Sequence, residues 1–165
     1  MKPLLQLIHR LYSYFLKGVN ALQSPFLLAI RVYWGWQLLQ SGIGKIQHID
    51  KVVAYFTDLG IPAPSLNAHF NAGLETIGGI LLILGLGSRA ICVPLLINMI
   101  VAYITAEREA LTSFFSDSSK FFGADPFPFL LTVVLVLIFG PGFFSLDTII
   151  QRYRKKRSPQ TTAAS

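Results

Sequence analysis

The sequence predicts an all-α membrane protein: four transmembrane helices in a bundle, with amphipathic surface helices at the N-terminus, between the first two spans and at the C-terminus. Three observations predict it. Hydrophobic residues make up 53 % of the 165-residue chain and charged residues only 13 %, about half the charge of a soluble domain. Mean hydropathy is +0.56, and the apolar residues come in long blocks, not in alternating or helical stripes. The net charge of +6 gathers at the two ends of the chain, as in the cytoplasmic Lys and Arg excess of membrane proteins. Basic residues interleaved with aromatics on a soluble face would mark a nucleic-acid binder; the sequence has none, and no nucleic-acid partner is expected.

Residues 1–23 fit an amphipathic helix. Leu4, Ile8, Leu11, Phe15, Val19 and Leu22 fall on one face, and Gln6, Arg10, Ser13, Lys17 and Asn20 on the other. A basic face opposite Leu and Phe predicts a helix lying on the cytoplasmic surface. Arg10 and Lys17 interrupt the apolar run that a signal peptide needs. Ser24 and Pro25 then read as N-cap and first helical residue, opening a membrane domain over 24–147.

Its spans are expected at about 25–43, 66–87, 90–106 and 127–140. On the first, Arg31, Gly35, Leu38 and Gly42 share a face that Lys45 extends, and the glycines allow close helix approach. Ile46, Ile49, Val53 and Phe56 recur at helical spacing, predicting a short helix on the outer surface before Gly60, Pro62 and Pro64 break it. Ser65 is the expected cap of the second span. That span carries Asn67, Asn71 and Glu75 at i, i+4, i+8, then Gly78, Gly79 and Leu82, and ends in a turn at Gly85, Gly87 and Ser88. Arg89 marks the cytoplasmic interface. The third span places Asn98, Ala102 and Thr105 on one face. Ala110–Asp125 reads as an outer loop with an amphipathic turn near Leu111–Phe115, and Pro126 and Pro128 open the nearly polar-free fourth span. Gly140-Pro141-Gly142 ends that span. Ser145 is expected to cap a last helix with Asp147 in its first turn, where a helix dipole favours an anion. Residues 148–165 form a basic cytoplasmic tail suited to anionic lipid.

Orientation follows from the charges. Lys2, Arg10, Lys17, Arg89 and the five basic residues of 152–157 fall on one side; Lys45, Lys51, Arg108 and Lys120 fall on the other, among six acidic residues. Four spans then place both termini in the cytoplasm.

The chain is organised around Leu66–Arg89, because Glu75 stands near its middle. A mid-membrane carboxylate costs roughly 2.5–3.5 kcal/mol by insertion scales, so it calls for a partner. Counted from a first span starting at Ser24 and a second ending at Leu86, Arg31 and Glu75 lie about 10 Å and about 16 Å above the cytoplasmic interface. An extended guanidinium covers that gap. The pair either locks the first span to the second or joins Asn71, Asn98 and Lys45 in a polar intramembrane site that binds a headgroup; the sequence leaves both open.

Catalytic motifs are missing. Cys92, the one cysteine, excludes an intramolecular disulfide and a cysteine-ligated iron–sulfur cluster. His48 and His69 sit towards the outer interface, where haem ligation is not expected, and no nucleotide loop or metal-ligand cluster is present. Quinone binding needs only a few hydrogen-bonding groups and an aromatic wall, which Tyr33, Trp34 and Tyr103 could supply.

Three stretches resemble one family in order and spacing: Arg31-VYWGWQLLQS-Gly42-IG-Lys45, then AGLETIGGILLILGLGSR from Ala72 to Arg89, then Gly140-PGFFSL-Asp147. Together they are similar to the DoxX family over roughly Pro25 to Asp147. The resemblance implies a four-helix bacterial inner-membrane protein in which Gly42, Gly78, Gly79, Gly85, Arg89, Gly140, Pro141, Gly142, Ser145 and Asp147 are structural motif positions. The family is named from a subunit of a thiosulfate:quinone oxidoreductase, while wider relatives act in cargo export and receptor assembly. The expected role is therefore a non-catalytic subunit, or a binding or scaffold component, of a membrane complex with a redox or quinone link. A quinone-interacting oxidoreductase subunit and an oligomeric lipid or small-molecule transporter are the alternatives. Membrane lipid and a protein partner or second copy are the expected partners.

Overall fold

The computed structural model describes residues 2–157, with side chains from residue 9 to 155 and at Gln6. The side chains of Leu4 and Ile8 and the segment 158–165 lie outside the described residues. Every element is helical: α1 (Lys2–Gln47), α2 (Ile49–Asp58), α3 (Pro64–Leu84), α4 (Ser88–Thr105), α5 (Arg108–Thr112), α6 (Ser118–Gly123), α7 (Phe127–Phe139) and α8 (Leu146–Arg157). Among the described residues, only α4 is both long and apolar enough to cross a membrane by composition. Polar side chains dilute α1 and α3, and α7, apolar throughout, has 13 residues.

The first correction concerns α1. The expected break at Ser24 is not there: one helix of 46 residues runs through Pro25. Pro25 removes one helical hydrogen bond, and it and Ala21, whose carbonyl loses that donor, are both exposed. Ser24 does not cap a helix; its Oγ accepts the Phe143 N–H at 3.0 Å. α3 likewise starts at Pro64, with Ala63 and not Ser65 at the N-cap. The connection between α4 and α7 holds two short helices, α5 and α6, where one turn was expected.

The most extensive packing is of α1 on α3; α3 also packs on α2 and α4, α4 on α7, and α7 back on α1. The α1–α3 seam is the tightest because glycines bring backbones together. A Cβ on Gly79 would stand 2.7 Å from Gly35 O, and one on Gly42 2.5 Å from Thr76 N. Leu38, Leu82, Cys92, Leu95, Met99, Val133 and Val136 fill the centre. A second cluster at the other end joins Tyr103, Ala110 and Ala124 to Phe121 and Phe127, with Tyr103 stacked on Phe121 at 4.6 Å and donating to its carbonyl.

The turn after α7 is tied back twice. Ser145 caps α8 as expected, its Oγ accepting the Thr148 N–H at 3.2 Å. Asp147 does more than meet its own helix dipole: its carboxylate accepts the N–H groups of Gly87 (2.8 Å) and Ser88 (3.0 Å), at the start of α4. Arg89 donates to Ile138 O at 3.3 Å, so it also holds α4 to the end of α7.

Candidate functional site

The antiparallel register of α1 and α3 decides which polar groups meet. Arg31 lies beside Leu82 and Ile83, Gly35 beside Gly79, Gly42 beside Thr76, and Lys45 beside Asn71 and Glu75. Arg31 and Glu75 therefore do not pair. Arg31 is fully buried and donates to backbone oxygens: Leu82 (2.9 Å), Ile83 (3.3 Å), Phe144 (3.2 Å) and Pro141. The reason is the register of the seam. The close approaches of Gly35 to Gly79 and of Gly42 to Thr76 bring the C-terminal end of α3 against α1 at the level of Arg31. The last α3 carbonyls, which lack the i+4 donors of the helix interior, are then nearer to the guanidinium than Glu75 is; Leu82 O also accepts the Gly85 N–H at 3.2 Å. Gly85, at φ +66°, admits that guanidinium: a Cβ there would stand 2.7 Å from it.

Glu75 is held by Lys45 instead. The ammonium is 2.5 Å from Oε1, and each partner sits on the wall of a cavity, with 5 % of the Glu75 side chain and 29 % of Lys45 exposed. Ser41 Oγ donates to Oε2 at 2.9 Å, and Asn98 Nδ2 approaches Oε1 at 3.4 Å. Lys45 also donates to Asn71 Oδ1 at 2.8 Å, and Asn71 Nδ2 to Asn98 Oδ1 at 2.6 Å. Of the residues expected together from the sequence, the structure brings together Glu75, Asn71, Asn98 and Lys45, and it leaves out Arg31. Ser41 is the member that sequence reading missed. Its signal was its place four residues before Lys45 on α1, the helical spacing that puts two side chains on one face.

The network forms the polar floor of a cavity of about 770 Å³, within the usual range for small-molecule sites. Its apolar walls include Tyr55, Phe56, Phe70, Ile97, Met99 and Phe129, and α2 and the Gly60–Pro62 turn border it. The aromatic wall is thus not the expected one. Tyr33 is exposed, Tyr103 is buried in the second cluster with Ala110 and Ala124, and Trp34 lines a smaller cavity of about 470 Å³ with Asp125 and Phe129. The Nδ1 atoms of His48 and His69 lie against carbonyls of their own segments, His48 at Gly44 O and His69 at Ser65 O. No cluster of three metal-ligating side chains exists among the described residues.

The floor has hydrogen-bond donors to spare. Lys45 has three N–H groups and engages two, the Asn71 and Asn98 amides have one each left, and each carboxylate oxygen already accepts at least one hydrogen bond. Lys45 and Glu75 cancel in charge. Such a floor fits a neutral oxygen acceptor better than an anion.

The DoxX family model matches residues 26–108. The chain is 32 % identical over 141 residues to "Uncharacterized membrane protein Rv3486" of Mycobacterium tuberculosis, covering 78 % of this chain and 83 % of that protein. It is 29 % identical over 130 residues to "Putative oxidoreductase CatD" of Bacillus subtilis, covering 78 % of this chain and 89 % of the relative. No solved structure matches.

Proposed function

The chain belongs to the DoxX family and is a membrane protein, and on that premise we propose that it is a non-catalytic binding subunit of a membrane complex. It holds the head of a neutral amphiphile on the Lys45–Glu75 floor. The observation that carries this is the joining, in one cavity, of a charge-neutral floor rich in spare donors with aromatic and aliphatic walls. α1 from about residue 25, α3, α4 and α7 are the four spans, both termini are cytoplasmic, and the membrane is the bacterial inner membrane. The charge asymmetry of the sequence supports this orientation. Glu75 and Lys45 then lie in the outer half, and the cavity opens towards the outer face beside α2.

A quinone fits the donor set. Its carbonyl would accept from Lys45 and an asparagine amide, and its ring would lie against the aromatic walls. A bound quinone would supply two-electron, two-proton redox chemistry. Within that chemistry the chain's own contribution is to orient the head through Lys45 and Asn98 and to exclude water from its ring with the apolar walls. The word oxidoreductase in the name of the Bacillus subtilis relative supports the redox link, and electrons would come from a partner subunit.

Native mass spectrometry of the protein in lipid nanodiscs, titrated with a decyl-tailed benzoquinone, tests the reading. One adduct per chain is expected, lost in Asn98→Leu. Equal adduct formation by wild type and Asn98→Leu, or none by either, overturns it. Fusion reporters expected to read cytoplasmic after Arg157 and at Arg89, and external at Ala63 and Ser118, check the topology.

A further inference from the structure

One face of α1 is left open along its whole described length. Leu11, Leu22, Tyr33 and Gly44 stand eleven residues apart, as do Phe15, Phe26 and Gln37, and Gln40 flanks the first row on the side away from Gln37. An eleven-residue repeat keeps a seam nearly straight along a helix and favours a shallow right-handed crossing of two helices. Leu11, Phe15, Leu22, Phe26 and Tyr33 are each more than half exposed, and a Cβ on Gly44 would meet nothing within 4 Å. Arg31, Gly35, Leu38 and Gly42 occupy the opposite face, against α3.

The telling members of this open face are Gln37 and Gln40, both exposed. Side-chain hydrogen bonds in this part of α1 belong to Arg31, Ser41 and Lys45; the two glutamine amides have no partner among the described residues. With 25–45 as a span, they stand about 18 and 22 Å along a path of about 30 Å, where neither lipid nor water offers hydrogen bonds.

We propose that α1 is a self-association face and that a second copy of this chain, in parallel, covers it. Copies inserted in one orientation bring Gln40 to Gln40 and Gln37 to Gln37. An amide is its own complement, donor to acceptor in both directions, so identical faces answer each other's unmet groups without a third molecule. Gly44 allows the backbones to approach above the glutamines. Below them the seam runs on through Phe26, Leu22, Phe15 and Leu11. Arg10 and Lys17 lie on the far side of the helix, so two cationic chains meet along it without bringing those charges together.

The proposal rests on reading α1 as a membrane span, and the test separates the two. In a Cys92→Ala background, full-length protein in sealed vesicles carries Gln40→Cys, Gly44→Cys or, as a control on the exposed face of α3, Ile80→Cys. Oxidant is expected to cross-link the first two into dimers and leave the third monomeric. Equal cross-linking at Ile80→Cys, or a cross-link from Gln40→Cys to a different protein, overturns the proposal. A Gln40→Cys that reacts neither with oxidant nor with a water-soluble maleimide overturns the dimer alone; rapid maleimide labelling overturns the membrane span itself. In a second arm, Gln37→Leu/Gln40→Leu, with Cys92 intact, is expected to keep its thermal transition while its dimer weakens about tenfold on dilution in lipid, the size of one interhelical hydrogen bond. An unchanged dimer overturns the proposal.

Discussion

Two buried charges sit on neighbouring helices, and the protein treats them in opposite ways. Arg31 is closed off and spends its donors on backbone carbonyls from the end of α3 and the turn after α7. Its partners cannot move without the chain moving, so it is a brace between three elements. Glu75 is bound by side chains alone, Lys45, Ser41 and Asn98, at the edge of an open cavity. Those partners can turn towards a ligand with the backbone still. A charge satisfied by backbone is architecture, and one satisfied by side chains beside a cavity is available for exchange.

Substitution of Arg31 should break that comparison hardest. Arg31→Met takes a donor from four carbonyls, of which Leu82 O keeps the Gly85 N–H, at about 1–3 kcal/mol for each buried group left unpaired, so the largest loss of stability is expected here. Adding Glu75→Gln should bring no rescue, because the two residues do not touch. Thermal unfolding of the two single variants and the double in detergent checks this, and coupling between them would return Arg31 to the Glu75 site. Lys45→Met or Glu75→Gln should cost less than the about 3–5 kcal/mol of a fully buried pair, because Lys45 is partly exposed. Together they should recover much of the loss while quinone binding stays abolished. A double variant that still binds would show that the floor does not hold the head.

A smaller effect is expected from Asp147→Asn, which weakens the capping of α4: about 1 kcal/mol, read as a lower unfolding temperature with the cavity's ligand binding unchanged. The smallest concerns a pair outside both regions. Lys120 donates to Glu109 at the surface and holds that carboxyl below its usual range, while the carboxylate holds the lysine above its own. The contribution of Glu109 is present above the ordinary carboxylate pKa and lost as pH falls through the depressed one. That of Lys120 is present below the ordinary lysine pKa and lost as pH rises through the raised one. Lys120→Gln should therefore differ from wild type only between those ranges, and the difference should shrink in high salt. A difference that persists in acid would place Lys120 in some other interaction.

The sequence by itself determined the helical class, the short helix after Lys45, the Ser145 cap, and the polar stripe of Asn71 and Glu75 with Asn98. Each is written in local spacing: apolar blocks, residues four apart, a serine before a first turn. It also held the tight seam, since Gly35, Gly42 and Gly79 are where two backbones can touch. What only the tertiary structure decided was the register between helices. The close approaches of Gly35 to Gly79 and of Gly42 to Thr76 set where α3 ends against α1, and that offset gives Glu75 to Lys45 and leaves Arg31 to the carbonyls. Pairing across two helices depends on their relative height, a property of packed backbones that no single stretch of residues encodes.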